Sequence, residues 1–268
     1  MPDSLGDRMK CYENVSRIYL PKRLPVIIRI DGRAFHTFTK GFQRPFDDVL
    51  ASAMRRTTER LCKEISGAKL AYTQSDEISI LVTNNDTIDT QPWFDNNLQK
   101  LVSIAASCAT AYFNSEFWEL VVCWGGEHAA IDRGTDEDME RFRIYMKRCL
   151  QAMFDARAFV LPPDEVCNYF IWRQQDATRN SIQMVAQSLY SHKELQNKNC
   201  NELQEMIFQK GVNWDHYEPW KKRGLCVIRR PASNDSPIAR NQWTADYDTP
   251  IFTEDRTYIE RWLMHNDA

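Results

Sequence analysis

The sequence lacks the signatures by which many enzymes and all helical membrane proteins are recognised. No stretch approaches the roughly 18 apolar residues that a membrane-spanning helix needs. The N-terminal run MPDSLGDRMK has no apolar core of a secretory signal. A soluble, cytoplasmic protein with no membrane contact is therefore expected. There is no G-x-x-x-x-G-K-[ST] phosphate loop and no G-x-G-x-x-G dinucleotide fingerprint. No G-x-S-x-G nucleophile elbow occurs either. These absences remove the P-loop, Rossmann and serine-hydrolase routes to catalysis. The eight cysteines form no C-x-x-C pair and have no histidine at zinc-finger spacing. Scattered, reduced, buried thiols are the expectation. The chain also lacks the net positive charge common in nucleic-acid proteins. Its formal charge is −3, so any polyanion contact must rest on local clusters. Two such clusters occur: Lys221, Lys222, Arg223, Arg229 and Arg230 within one decapeptide, and Arg141, Arg143, Lys147 and Arg148 within another. Each reads either as a solvated face or as a phosphate grip.

What is present is enough for a substantial core: 268 residues, 43% of them hydrophobic. This allows one large domain or two small ones. A strong strand spans Pro25 to Ile30 and ends at Asp31-Gly32. A helix is predicted from about Asp47 to Ser66, with Leu50, Met54, Thr57, Leu61 and Ile65 on one face. Asp47 or Asp48 can cap its start and Gly67 its end. A hairpin follows, with strands Lys69–Thr73 and Ile78–Thr83 around the polar connection Gln74-Ser-Asp-Glu77. A second helix is predicted from about Asn96 to Asn114. The fourth strand is either Leu120–Cys123 or Ala158–Leu161. In both cases the order is β-α-β-β-α-β, a ferredoxin-like α+β fold. If the later strand is correct, about 117–155 is an insertion carrying a basic amphipathic helix, Asp136–Phe154. The expected division is a palm-like catalytic domain over 1–162 and a more helical region over 163–268. The latter holds helices over 164–190 and 200–209, a strand over 224–230, and a last helical pattern over 254–264.

Two acidic positions stand out on this topology. Asp31 ends an apolar strand, and Asp76-Glu77 lie at a hairpin tip. Strands one and three of the motif are neighbours, so Asp31 and Asp76 fall within reach of the same ions. Hard cations such as Mg²⁺ prefer oxygen ligands and leave positions open for phosphate. Two of them can stabilise the attacking and leaving oxygens of a phosphoryl transfer. Taken singly, Asp-Gly after a strand is a common turn and Asp-Glu at a hairpin tip a common solvated pair. Their coincidence on one sheet end favours a metal site. His36 follows closely on Asp31-Gly32; the other histidines have no evident partners.

The segments Asp31-Gly-Arg-Ala-Phe-His36, Gln74-Ser-Asp-Glu-Ile-Ser79 and Tyr169-Phe-Ile-Trp-Arg-Gln-Gln-Asp176 resemble the tRNA-His guanylyltransferase family. Lys222–Ile228 is similar to the family's late basic strand. The resemblance covers roughly residues 5–230. It implies a polymerase-type palm that extends RNA in the 3′-to-5′ direction. It implies two Mg²⁺ ions held by Asp31, the Gly32 carbonyl and Asp76, with Glu77 in support of these catalytic carboxylates. It places the nucleoside triphosphate, GTP or ATP, against Asp31, Gly32, Arg33, Ala34, Phe35, His36, Ser75 and Asp76. Arg44 and Lys100 match basic residues that contact the triphosphate. Lys221, Lys222, Arg223, Arg229 and Arg230 are the candidate tRNA grip, and a homotetramer is the implied assembly. One departure is informative. The eukaryotic enzymes carry a His-Ile-Asn-Asn-Leu-Tyr-Asn motif where this chain has Thr178–Met184, keeping only Asn180. That pattern is similar to the Thg1-like branch, which implies templated repair of truncated tRNA 5′ ends. A palm-type nucleotide cyclase and a non-catalytic tRNA-binding module are the alternatives.

Overall fold

The structure, a computed structural model, describes residues 4–128, 134–231 and 241–263. In chain order the first elements are α1 (Leu5–Val15), β1 (Val26–Gly32), α2 (Phe35–Phe38), α3 (Asp48–Glu64), β2 (Ala68–Gln74), β3 (Glu77–Val82) and α4 (Leu98–His128). They continue with α5 (Asp136–Arg148), β4 (Phe154–Val160), α6 (Pro163–Leu189), α7 (His192–Leu195), α8 (Cys200–Gln209), α9 (Pro219–Arg223), β5 (Leu225–Arg230), β6 (Gln242–Asp246) and α10 (Thr257–Glu260). The six strands form one sheet in the order β4-β1-β3-β2-β5-β6, antiparallel throughout. Its first four strands have the ferredoxin-like order read from the sequence.

Two apolar faces explain why the chain folds this way. In β1, Val26, Ile28 and Ile30 point into the core under α3 and α4, while Ile27 points into the core under α6. Such a strand, buried on both faces, reads as a continuous apolar run. Helix α3 begins where Asp47 accepts the Leu50 amide at 2.8 Å, a cap worth ~1 kcal/mol. Its buried stripe includes Ala53, Met54, Thr57, Leu61 and Cys62. Helix α6 lays Val166, Cys167, Phe170 and Ala177 against Ile27, Leu70, Tyr72 and Leu81 on the opposite face. It is one unbroken helix, opened by Pro163 in its first turn.

Of the two candidates for the fourth strand, the later one is realised, in β4, and Leu120–Cys123 lies inside α4. The buried residues Leu101, Ala105, Ala109, Phe113, Phe117, Val121 and Gly125 recur every fourth position, and this stripe carries the helix past Asn114 to His128. The β-branched pair Val121-Val122 imitates a strand locally, but the helical packing of the whole stripe prevails. Helix α5 is also shorter than the sequence pattern suggests, ending at Arg148, with Phe154 already in β4. Strand β6 was not anticipated, because its polar surroundings hide the alternation of Trp243 and Ala245. The last helical pattern is realised only as α10, and its final residue, Met264, lies outside the described residues. No described helix is long and apolar enough to cross a membrane.

Candidate active site

The pairing of β1 with β3 sets the site. Asp31 stands directly opposite Glu77, and the Gly32 amide donates to the Asp76 carbonyl at 3.1 Å. The end of β1 is thereby joined to the β2–β3 turn. Ser75 makes that turn in the left-handed region (φ 49°) and donates its hydroxyl to an Asp76 carboxylate oxygen at 3.1 Å. Burial, then the charge of Asp31, pushes the Asp76 carboxyl up to about 6. Two half-buried carboxylates therefore share one corner, and among the described residues neither has a salt-bridge partner. Gly32 has a steric reason to be glycine: a Cβ there would lie 2.3 Å from the Phe35 ring. That ring seals the floor of the corner, packed on Phe38, Phe113 and Phe154.

A cavity of about 570 Å³ opens beside the carboxylates. Gly32, Ala34, Phe35, His36, Arg44, Ser75 and Asp76 line it, as the sequence motifs imply. Lys40, Gln43 and Gln187 also line it and were missed by sequence reasoning. Lys40 is a second cation on the same loop as Arg44; only the folded loop reveals that it faces the cavity. Arg33 does not line it. Its amide donates to the Met153 carbonyl at 2.8 Å, and its side chain leans towards the Met153 sulfur on the outside. Asp47, though on the cavity wall, is committed to structure: it accepts the buried Tyr145 hydroxyl at 2.6 Å and the Gln43 amide at 2.9 Å. A smaller apolar pocket of about 110 Å³ adjoins, sharing Leu50, Ser75 and Met184 and adding Asn180 and Lys221.

Comparison with known proteins decides what this corner belongs to. The sequence model described as tRNAHis guanylyltransferase matches residues 6–162. The chain belongs to the tRNAHis guanylyltransferase family. It is thus a nucleotidyltransferase with a palm-type fold. A solved bacterial tRNA(His) guanylyltransferase (Thg1)-like protein in complex with ATP is 48% identical, with a TM-score of 0.81 over 97% of this chain and 99% of that one. The corresponding complex with GTP is 46% identical with a TM-score of 0.77, at the same coverage. Among curated relatives, the probable tRNA(His) guanylyltransferase of Dictyostelium discoideum is 25% identical over 86% of this chain and 84% of its own length. The tRNA(His) guanylyltransferase of Schizosaccharomyces pombe is 26% identical over 86% and 82%.

Nucleotidyl transfer in this family uses a divalent metal. The donor set here suits a hard cation: two carboxylates under mutual repulsion, with oxygen donors alone. Among the described residues no group of three or more His, Cys, Asp or Glu side chains converges. Asp31, Asp76 and the Gly32 carbonyl are the oxygen donors at this sheet end that could hold such an ion. Glu77 does not line the cavity. It is buried at the face of α6, where it accepts Arg173 Nε at 2.8 Å and lies 3.6 Å from Arg29 Nε.

Two of the family-implied basic assignments do not assemble. Lys100 sits in the first turn of α4, which is tied to the segment before β1 by the Leu98 amide on the Ile18 carbonyl at 2.9 Å. This is the end of the sheet opposite Asp31. Phe113, which packs on Phe35 beside the site, lies about 20 Å further along the helix at 1.5 Å per residue. The Lys100 ammonium faces the Phe94 ring instead, at 5.7 Å. The basic decapeptide is divided too. Thr73 of β2 pairs with Leu225, so Lys221, Lys222 and Arg223 lie at the active end. Arg229 and Arg230 lie at the far end of β5, over Trp243 and paired with Asp246 respectively. Arg223 donates to the Thr249 carbonyl at 3.0 Å and Lys222 to the Asp215 carbonyl at 2.8 Å, both structural contacts. They do not form one continuous grip.

Proposed function

We propose that this nucleotidyltransferase adds nucleotides to the 5′ end of tRNA in the 3′-to-5′ direction, as a templated repair of truncated ends. The observation that carries the reading is Asp76 and Gly32 on the wall of a cavity holding His36, Lys40 and Arg44, with Asp31 at the end of β1 just behind that wall and close enough to raise the Asp76 carboxyl. The two similar bacterial structures are complexes with ATP and with GTP, and this chain offers a cavity of about 570 Å³ for such a ligand. In the expected chemistry the tRNA 5′-phosphate attacks the α-phosphate of ATP or GTP and pyrophosphate leaves; the 3′-hydroxyl of the incoming nucleotide then attacks the activated 5′-phosphate, and the nucleoside monophosphate leaves.

When bound, divalent ions, two by expectation, neutralise the phosphate charge and stabilise the attacking and leaving oxygens. Asp31, Asp76 and the Gly32 carbonyl would hold them. Lys40 and Arg44 supply charge-assisted contacts to the phosphates. Ser75 and the chain from Ala34 to His36 fix the triphosphate against the sheet end, and the Phe35 cluster keeps water from the floor. Catalysis then comes mainly from alignment and from preorganised charge. A homotetramer remains the expected assembly. It is supported by α1, whose Leu5, Met9 and Tyr12 stand exposed on a helix with no buried residue; light scattering on the purified protein tests it.

The test of function is Mg²⁺-dependent incorporation of labelled nucleotide into 5′-monophosphorylated tRNA. Asp31→Ala and Asp76→Ala each abolish incorporation while the far-UV spectrum stays native. A folded variant that retains near-normal incorporation removes its carboxylate from the site.

A further inference from the structure

Glu77 is adjacent to Asp76 in sequence and opposite Asp31 in register, yet it is held by groups outside the cavity. Its Oε1 accepts Arg173 Nε at 2.8 Å, with both side chains almost wholly buried. Ser79, whose hydroxyl is 3.5 Å from the same oxygen, is bonded at 2.7 Å to the Tyr169 hydroxyl of α6. The Arg173 guanidinium is fixed from three sides. Nε holds Glu77, Nη2 holds Asp176 at 2.6 Å, and the Trp172 ring lies 4.2 Å away. Asp176 is in turn held by Arg179 at 2.8 Å. Arg29 adds charge but no bond: its Nε is 3.6 Å from Glu77 and has no hydrogen-bond partner among the described residues.

We propose that Arg173 is a positioning residue for the Asp31–Asp76 pair, acting by neutralising Glu77 and holding it, and with it the start of β3, fixed against α6. The inference rests on the reading of Asp31 and Asp76 as the metal carboxylates. Asp31 and Glu77, paired across the ladder, and Asp76 in the turn beside them are three like charges that repel one another. An arginine that spans Glu77 and Asp176 through separate nitrogens neutralises one of the three and fixes its place. It also anchors the catalytic hairpin to α6, so that the start of β3 keeps its place when phosphate charge arrives. Partners behind a metal ligand commonly control metal affinity in this manner.

The experiment titrates Mn²⁺ into the full-length protein and reads bound ion by the loss of its free electron-spin signal, with thermal melting in parallel. Arg173→Met weakens Mn²⁺ binding about 10- to 100-fold, the range typical for partners behind a ligand. Arg173→Lys falls between, because one ammonium cannot span both carboxylates. Glu77→Gln retains Mn²⁺ binding. The double variant Glu77→Gln/Arg173→Met binds Mn²⁺ more tightly than Arg173→Met alone, because the buried Glu77 charge is no longer left without Arg173. If Arg173→Met does not fold, Arg173→Lys and the double variant carry the comparison. Glu77→Gln losing Mn²⁺ as fully as Asp76→Asn makes Glu77 a ligand and overturns the proposal. So does Mn²⁺ affinity in Arg173→Lys equal to wild type, or no recovery in the double variant. Because no RNA is used, failure of the tRNA incorporation assay and failure of this one are separate results.

Discussion

At the scale of single residues, the difference between Arg44 and Lys100 is the sharpest consequence of the fold. Both are basic and both match triphosphate-contacting positions, but only Arg44 lines the cavity. Arg44→Ala should raise the KM for nucleotide about tenfold or more, since a contact between charged groups is worth about 1.5–3 kcal/mol. Lys100→Ala should leave nucleotide use by its own subunit's site unchanged; a comparable loss in steady-state kinetics would place Lys100 in a neighbour's site. Asp76 gives a pH signature. Its carboxyl, raised to about 6 by burial and by Asp31, must be ionised to ligate a cation. Protons therefore displace metal as pH falls through about 6, where an ordinary aspartate would hold it down to about 4. Mn²⁺ titrations between pH 5 and 7.5 check this, and a flat affinity over that window refutes it. The meeting of Asp31 with the Asp76 turn was legible in the sequence, because a strand end and a hairpin tip are local features of one sheet end. The Arg173–Glu77 bond was not, because it joins β3 to a helix begun some eighty residues later, and no periodicity reports such a meeting.

At the scale of elements, the period of the apolar pattern identified β1, α3 and the hairpin, and capping residues placed the start of α3. It failed where a short window mimics the wrong period. Leu120–Cys123 is continuously apolar and β-branched like a buried strand, and only the four-residue stripe from Leu101 to Gly125 shows that it is helix. Gly125 is the test of that continuation. In an exposed helix, glycine to alanine gains about 1 kcal/mol of propensity. Here the new Cβ would lie 2.3 Å from the Phe142 ring of α5. Overpacking typically costs ~1–3 kcal/mol. Gly125→Ala should therefore lower the melting temperature, and Gly126→Ala, with nothing within 4 Å of its new Cβ, should raise it or leave it level. A stabilised Gly125→Ala would mean that α5 does not pack where the structure places it.

At the scale of the whole molecule, the issue is how an acidic protein holds RNA. The linear decapeptide Lys221–Arg230 suggested a single grip, but a strand separates its ends, so the cations act at two places or not at all. The active-end cations are largely bonded to the protein itself, Lys221 to Glu218 at 3.3 Å and Lys222 to Asp215. Phosphate contacts made this way are few, and binding should weaken only moderately with salt, since the slope of affinity against salt counts the neutralised phosphates. Selection of the added nucleotide must then come from elsewhere. Watson–Crick pairing with the opposite strand supplies it without a base-specific protein contact, provided the enzyme holds the helix end by shape. The run Thr178–Met184 agrees, since it lacks the His and paired Asn of the eukaryotic enzymes and presents Asn180 to the small pocket beside the site. The protein should therefore extend 5′-truncated tRNAs of several kinds, each with the nucleotide that the opposite strand specifies. The measurement compares truncated tRNA-His, truncated non-His tRNAs and full-length tRNA-His at equal salt, with each of the four nucleotides offered singly. Extension of full-length tRNA-His alone, by guanosine irrespective of the opposing base, would replace templated repair with strict guanylyl addition while leaving the Asp31–Asp76 chemistry in place.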